Sequence, residues 1–376
     1  MILVFADVHL GIKSYSSYNS KGLSTAENEA RASLEEIYLR ASKTDISMIC
    51  CLGDFFHTNQ PSTENISFAI SWFHKMDSLN KPFFVIPGNH DAAMYSNSLI
   101  FLNSLKLENT KLLIKKEGFD FSYIWKNWNL KFIPYSYSDT MKNKEDSLYS
   151  EVENTIMSSS EKTIIFSHIQ ETTAKLGSEA IMISKGVDIL NLDNIHHTKD
   201  IFLISGHIHR HQIYKKGFMT VCYTGNTFYQ DASDCNQPKG YITINELGDI
   251  KFEKLRTIRK FISFYIPKNI DYLELISSRR IEENSVIFLS LEQEKDIQVQ
   301  DKIVALLTRK NCILGNIKWE QSEESINTSK FKFEHTDPYK IFEESISSNE
   351  DLTSSFKKDV LSKGFFYLDQ TTGSSK

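Results

Sequence analysis

The chain has 376 residues, 40% of them hydrophobic and 24% charged, and a formal net charge of −5. These values suit a globular protein of two or three domains. They exclude a uniformly basic nucleic-acid binder, so any nucleic-acid contact must be a local groove. The five cysteines are odd in number and form no C-x-x-C pair, as expected of free thiols in a reducing compartment.

Residues 2–6 form a short apolar run, the pattern of a strand buried on both faces, and deliver Asp7 and His9. A locally extended backbone there would point both side chains the same way. The run meets Asp7 too soon for a secretory leader, and no stretch approaches the ~20 apolar residues of a membrane span. A cytoplasmic chain without membrane contact is therefore expected. Ser24-x-x-Glu27 reads as a capping box, followed by a helical stripe of Ala30, Leu34, Ile37, Tyr38 and Ala41. Residues 46–52 are again apolar and deliver Gly53-Asp54-Phe55-Phe56-His57. Pro61 and Ser62 open a second helix carrying Ile66, Ala69, Ile70, Phe73 and Met76, after which residues 83–86 deliver Pro87-Gly88-Asn89-His90-Asp91. Strand, motif and helix, repeated in this way, predict βαβ units and a parallel sheet. Functional groups of such sheets gather beyond the carboxyl ends of the strands.

Residues 130–133 and 163–166 read as strands around a polar helix near 146–158, the second of them delivering His168. Residues 201–204 deliver Gly206-His207-Ile208-His209, and shorter strands at 212–214, 220–223, 240–244 and 250–255 suggest a mainly antiparallel closing run. The predicted fold is α/β, a sandwich of two mixed sheets flanked by helices over residues 1–258. From residue 259 the pattern resets to a small α/β unit (259–322), with strands at 261–266, 286–291 and 313–319. Its helices are expected at 272–277 and around Val299, Ile303, Leu306 and Leu307. A polar linker (323–336), two amphipathic helices (337–366) opened by Asp337-Pro338, and a disordered tail (367–376) follow. The two helices have little core of their own, which predicts docking on a partner.

Six of the eleven histidines fall inside the motifs, each directly after an apolar run. One such histidine alone would more often be a satisfied buried residue, but six at strand ends are not a scatter of core histidines. His74, His196, His197, His211 and His335 have no such setting. Carboxylate, amide oxygen and imidazole without thiolate suit hard or borderline divalent ions, which points to Mn²⁺, with Mg²⁺, Fe or Zn²⁺ as alternatives. Asp54 is the natural bridge, because one carboxylate can offer an oxygen to each of two ions ~3.5–4 Å apart. His90 is not needed as a ligand, and Asp91 can orient it; it is the candidate acid for the leaving oxygen.

The ordered set D-x-H, G-D-x-x-H, G-N-H-D, H and G-H-x-H resembles the calcineurin-like metallophosphoesterase superfamily. More narrowly, Asp7-Val-His-Leu-Gly11, Gly53-Asp-Phe-Phe-His57 with Pro61, and Gly206-His-Ile-His209 resemble the SbcD family of DNA-repair nucleases. Tyr223-Thr-Gly-Asn226 and Gln237-Pro-Lys-Gly240 are similar to stretches in that family's phage members, the recombination endonuclease subunits. The resemblance implies two ions, one held by Asp7, His9, Asp54 and His209 and the other by Asp54, Asn89, His168 and His207. It implies His90 as catalytic acid supported by Asp91, and His57 presenting the DNA phosphate. The small unit after Arg259 would be a capping domain shaping DNA access. The terminal helices would dock on the coiled-coil root of an SbcC-type ATPase, and the nuclease would be a homodimer. The chain departs from the family in its first loop, residues 12–24, which is long and rich in Ser, Tyr and Asn.

The expected function is thus a metal-dependent DNA exo/endonuclease. A small-molecule or protein phosphoesterase is one alternative, since the superfamily shares the metal ligands; a catalytically silent DNA-end-binding subunit is another. Against the phosphatase, His57 and Asp91 stand where protein phosphatases of the superfamily carry the second Asp of G-D-x-x-D-R-G and the Glu of G-N-H-E. The basic residues placed to meet DNA phosphates are Lys13, Arg210, Lys215, Lys216, Arg256, Arg259 and Lys260.

Overall fold

Alternate side chains of β1 (Ile2–Phe5) enter two different cores. Leu3 and Phe5 pack with Leu34 and Ile37 of α1 (Thr25–Ala41) and with Trp72 and Phe73 of α2 (Thr63–Asp77). Ile2 and Val4 face the other way, against Leu130, Phe132, Ile164, Phe166 and Ile204 of a second sheet. A strand with no polar face is the sequence counterpart of burial on both sides. The computed structural model describes residues 1–319 except 19–21, 23, 94–95, 116–120, 137–147, 160, 178–188, 194, 196–199 and 257–258. The expected linker, docking helices and tail, with His196, His197 and His335, lie outside the described residues.

In the first sheet β1 pairs in parallel with β2 (Met48–Leu52), which leads through β3 (Phe83–Ile86) to β4 (Thr110–Leu112), all parallel. Its other edge takes β11 (Gly240–Ile244) antiparallel, and β12 (Ile250–Lys254) closes that side. The second sheet runs β5 (Ser122–Trp125), β6 (Trp128–Ile133), β7 (Thr163–Ser167), β8 (Ile201–Ser205), β10 (Met219–Tyr223), β9 (Gln212–Lys216). Its outer face packs on the helix Leu148–Ser158 through Leu148, Val152 and Ile156. The result is helix, sheet, sheet, helix.

α1 starts at the predicted capping box: Ser24 Oγ accepts the Glu27 amide at 3.1 Å and the Glu27 carboxylate accepts the Ser24 amide at 3.3 Å. In α2 the buried stripe is Asn65, Ala69, Trp72, Phe73 and Met76, leaving Ile66 and Ile70 half-buried. The closing run differs from expectation. β9 and β10 form a hairpin in the second sheet, where β10 is parallel to β8, while β11 and β12 return to the first. β4 and β5 carry no apolar run to announce them, and Ser122, Tyr123 and Ile124 are exposed. After β3 the described residues hold only the 3₁₀ turn Ile100–Ser104 in place of a third crossover helix.

β13 (Phe261–Ile266), β14 (Val286–Leu291) and β15 (Ile313–Trp319) form a small parallel sheet. The helices Tyr272–Ser278 and Ile297–Arg309 cover one face through Ile276, Ile303 and Leu307. On another side Phe261, Val286 and Phe288 meet Tyr15 and Tyr229, and the sheet lies in the same compact unit, Met1–Glu320, as the sandwich. Arg259 is part of this junction rather than a DNA contact. It is 2% exposed, its Nε donates to Glu29 Oε2 at 2.6 Å, and its guanidinium also donates to the Tyr15 carbonyl. No helix among the described residues is long and apolar enough to cross a membrane.

Candidate metal centre

Asp7 and His9 are not on extended backbone. β1 ends at Phe5, and Asp7, His9, Asp54 and His207 all have left-handed φ, at 54°, 46°, 51° and 80°. For residues with a Cβ such conformations cost roughly 1–3 kcal/mol each and persist only where surroundings impose them. Here the segments after β1 and β2 bind each other. The amides of Asp7, His9 and Leu10 donate to the carbonyls of Gly53, Asp54 and Phe55 at 3.1, 2.9 and 2.9 Å. Gly53, at φ 89°, is needed for the same closure, since a Cβ there would stand 2.7 Å from the Gly88 main chain.

These turns bring the side chains together. Asp54 Oδ2 lies 3.6 Å from His9 Nε2 and 3.3 Å from His168 Nε2. On one side of it, Asp7, His9 and His209 each offer an atom within 4.8 Å of the others, with His9 Nε2 and His209 Nε2 3.2 Å apart. On the other side, Asn89 Oδ1 lies 3.0 Å from His168 Nε2 and 2.9 Å from His207 Nδ1. His168 Nδ1 is 2.8 Å from the Leu52 carbonyl; a carbonyl only accepts, so Nδ1 carries a hydrogen and Nε2 is the ring nitrogen turned toward Asp54 and Asn89.

Burial and the neighbouring groups set the charge in this pocket between them. Burial pushes the Asp7 carboxyl up, against the pull of His168 and His209. Burial also opposes ionisation of Asp54, but His168 and His9 outweigh it and hold that carboxyl well below its ordinary value. Burial favours the neutral rings of His9 and His207, the latter lowered to about 3, whereas the Asp54 carboxylate overcomes the burial of His168 and raises its ring to about 9, so a cation bound there would displace that proton. Neutral imidazoles beside buried carboxylates are what a cation requires of its ligands. Asp7 Oδ1 accepts the His207 amide at 3.0 Å, whereas Oδ2 is buried without a hydrogen-bond partner. With no thiolate in the set, the donors fit a hard or borderline divalent ion.

Residues 1–211 match the family model described as calcineurin-like phosphoesterase. The chain belongs to that family. Among curated proteins it is similar to the DNA double-strand break repair protein Mre11 of Saccharolobus solfataricus, 30% identical over 134 residues, 36% of this chain and 33% of that one. It is also similar to Mre11 of Methanosarcina acetivorans, 22% identical over 354 residues, 90% of this chain. The chain thus spans about half or less of these relatives, 53% in the longer alignment. Of solved structures, a dimetal phosphatase from Danio rerio is 12% identical with a TM-score of 0.40, covering 64% of this chain and 90% of that one. A calcineurin-like phosphoesterase implies a divalent metal centre, and the cluster around Asp54 holds the residues to form it.

In this phosphoesterase His90 stands beside the cluster, its ring 4.6 Å from that of His9 and stacked on His57 at 5.5 Å between centroids. Its Nδ1 faces the His57 carbonyl at 2.7 Å. Asp91 does not orient it, contrary to expectation. The Asp91 carboxylate accepts the amides of Phe56, Gly88 and Phe55 at 3.0, 3.0 and 3.2 Å, and so pins the β2 turn to the β3 turn. His57 opens onto a cleft of about 670 Å³ lined by Lys13, Ser14, Thr58, Gln60, Ser62 and Asn65 among others. Of the seven expected DNA contacts, only Lys13 lines it. Arg210, Lys215 and Arg256 are exposed. Lys216 is engaged by Glu171 and Asp193, at 2.6 and 2.9 Å, and Lys260 pairs at the surface with Glu282. Gln230 was not legible in the sequence: it donates to the Asp7 carbonyl at 2.8 Å from across the fold.

Proposed function

We infer that the chain is a metal-dependent nuclease that hydrolyses DNA phosphodiester bonds with two Mn²⁺ ions, as the nuclease subunit of an SbcCD-like end-processing complex. The observation that carries the hydrolytic reading is the place of Asp54 Oδ2, between His9 and His168, with ligand groups on both sides. One ion would be held by Asp7, His9, Asp54 and His209 and the other by Asp54, Asn89, His168 and His207. DNA as substrate is supported by the similarity to DNA double-strand break repair proteins. The open cleft beside His57, with Lys13 and several amide and hydroxyl side chains on its wall, also suits a strand better than a small ester.

Two such ions supply a water that loses its proton near neutral pH, and they neutralise charge on the phosphoryl group. The chain supplies the rest. His90 delivers a proton to the leaving oxygen, His57 and Lys13 meet phosphates along the cleft, and the turns fixed by Asp91 keep the ligands in register. The small sheet after Arg259 acts as a cap on DNA access. The segment 337–366 docks a coiled-coil ATPase, and the nuclease works as a homodimer in the cytoplasm, consistent with its five free cysteines.

The test is hydrolysis of linear duplex DNA, circular single-stranded DNA and a small aryl phosphodiester, with Mn²⁺, with Mg²⁺ and with chelator, beside the His90→Ser variant. Mn²⁺-dependent DNA cleavage lost in the variant is expected. Cleavage of the aryl ester alone would move the protein to the small-molecule phosphoesterase reading. Inactivity on all three, persisting when the ATPase is added, would leave a silent DNA-end-binding subunit.

A further inference from the structure

Residues 224–239 carry the chain from β10 in the second sheet to β11 in the first. The stretches Tyr223-Thr-Gly-Asn226 and Gln237-Pro-Lys-Gly240 bracket this loop, and nothing in the hydrolytic reading uses it. Yet it touches two of the residues on one side of the metal cluster. Gln230, 2% exposed, donates Nε2–H to the Asp7 carbonyl at 2.8 Å. Asp231 places Oδ2 4.0 Å from His209 Nδ1, an ion-pair separation longer than a hydrogen bond, while the other ring nitrogen, Nε2, faces His9. The His209 carbonyl accepts the Asn226 amide at 3.1 Å and lies 3.5 Å from Lys239 Nζ.

The loop is built to hold these positions. Asp234 Oδ2 accepts the Gln230 amide, the Asn226 side-chain amide and the Asp231 amide at 2.8, 3.0 and 3.3 Å. Its Oδ1 pairs with Lys239, and neither side chain is more than 1% exposed. A charge pair so deep pays a large desolvation cost and persists only with good geometry and further hydrogen bonds. Here those bonds run to Asn226, to Gln230 and to the main chain of Asp231 itself. Asp231 itself is fixed through Oδ1, which accepts the Ser233 amide at 2.7 Å and hydroxyl at 2.5 Å, with Oδ2 turned toward His209.

We propose that Asp231 is a positioning residue for His209, and that its loop governs occupancy of the metal position shared by Asp7, His9 and His209. The proposal rests on the reading of those three as metal ligands. An imidazole that binds a cation through one nitrogen keeps a hydrogen on the other. A carboxylate facing that hydrogen fixes the tautomer and the ring plane and makes the ligand nitrogen more basic. In this role Asp231 acts through His209 and not as a ligand itself, although its carboxylate also lies in a group with His209 and Asp234.

The full chain, stripped with chelator, is titrated with Mn²⁺ by calorimetry and paramagnetic resonance, and with Co²⁺ by visible absorption. In Asp231→Asn one binding step should weaken by about 10–100-fold. The other step should stay unchanged, the Co²⁺ bands of a single ion should shift, and the metal-free melting temperature should hold. Asp231→Glu should recover part of the affinity. Two unaltered binding steps in Asp231→Asn would overturn the proposal. So would an equal loss at both steps together with a lower metal-free melting temperature, which marks a purely structural role. A wild-type chain that binds no divalent ion would overturn the metal-centre reading itself, and this proposal with it, whatever the DNA assays show.

Discussion

The main-chain carbonyl of His57 stands 2.7 Å from Nδ1 of His90. Because a carbonyl only accepts, Nδ1 carries a hydrogen and Nε2 is left to exchange a proton with the substrate. His90→Ser should therefore leave Mn²⁺ affinity unchanged and lower DNA cleavage by about 10²–10⁴-fold. Asp91→Asn should instead act on the scaffold. It weakens a carboxylate that accepts three amides, and should destabilise the protein by about 1–3 kcal/mol in urea unfolding. Wild-type cleavage by His90→Ser would remove His90 from the mechanism.

Cation binding should register as stability. The carboxylates of Asp7 and Asp54 are buried among imidazoles, so Mn²⁺ that binds the folded chain alone should stabilise it by about 2.7 kcal/mol at a hundredfold excess over its Kd. Asp54→Asn should abolish most of that gain. Differential scanning fluorimetry with and without Mn²⁺ reads both, and an equal rise in wild type and variant would refute the bridging role.

Lys13 and Arg259 should separate cleanly. Lys13 is exposed and lines the cleft beside His57, so Lys13→Gln should weaken duplex DNA binding and reduce the salt slope by about 0.9 if it meets one phosphate. Arg259→Met removes the partner of buried Glu29 and should cost about 3–5 kcal/mol of stability while leaving the salt slope unchanged. A reduced salt slope in Arg259→Met would restore it as a DNA contact.

Glu171 gives a pH dependence whose sign follows from its partners. Burial opposes its charge, but Lys216, Tyr214 and the Thr173 amide outweigh that and hold the carboxyl below its ordinary value. A depressed folded-state pKa means stability present above the unfolded value of about 4.3 and lost as pH falls through the folded one. Glu171→Gln should cost about 1.5–3 kcal/mol at pH 7, and less as the pH is lowered past 4. A gap between the urea midpoints that widens on acidification would contradict this.

Much of the site was legible because each motif ends an apolar run, and a buried parallel strand leaves its functional groups at its carboxyl end. Asp7, His9, Asp54, Asn89, His168, His207 and His209 do meet around one point. What failed was backbone direction and side-chain destination. Two residues apart suggested extension at Asp7 and His9, but hydrogen bonds from the segment after β2 impose left-handed turns there. Adjacency suggested that Asp91 orients His90, yet three amides brought in by the fold outbid the neighbouring ring. Basic residues looked alike in sequence; only tertiary packing hides Arg259 against Glu29 and leaves Lys13 in the open. β5 lacked a signal altogether, its first three residues being solvent-facing.

β1 lies inside its sheet only because β11 covers one of its edges, with Ile2 opposite Ile244 and Val4 opposite Ile242. Until some 240 residues have been synthesised, the strand that bears Asp7 and His9 offers a bare row of amides and carbonyls to any passing chain. The stretch recognisable by family ends at residue 211, before that cover exists. A fragment cut there would carry every metal-ligand motif and leave one edge of β1 unpaired. The pairing that encloses β1 is complete only when the chain has run through β11, and the sheet then ends on β12, at Lys254.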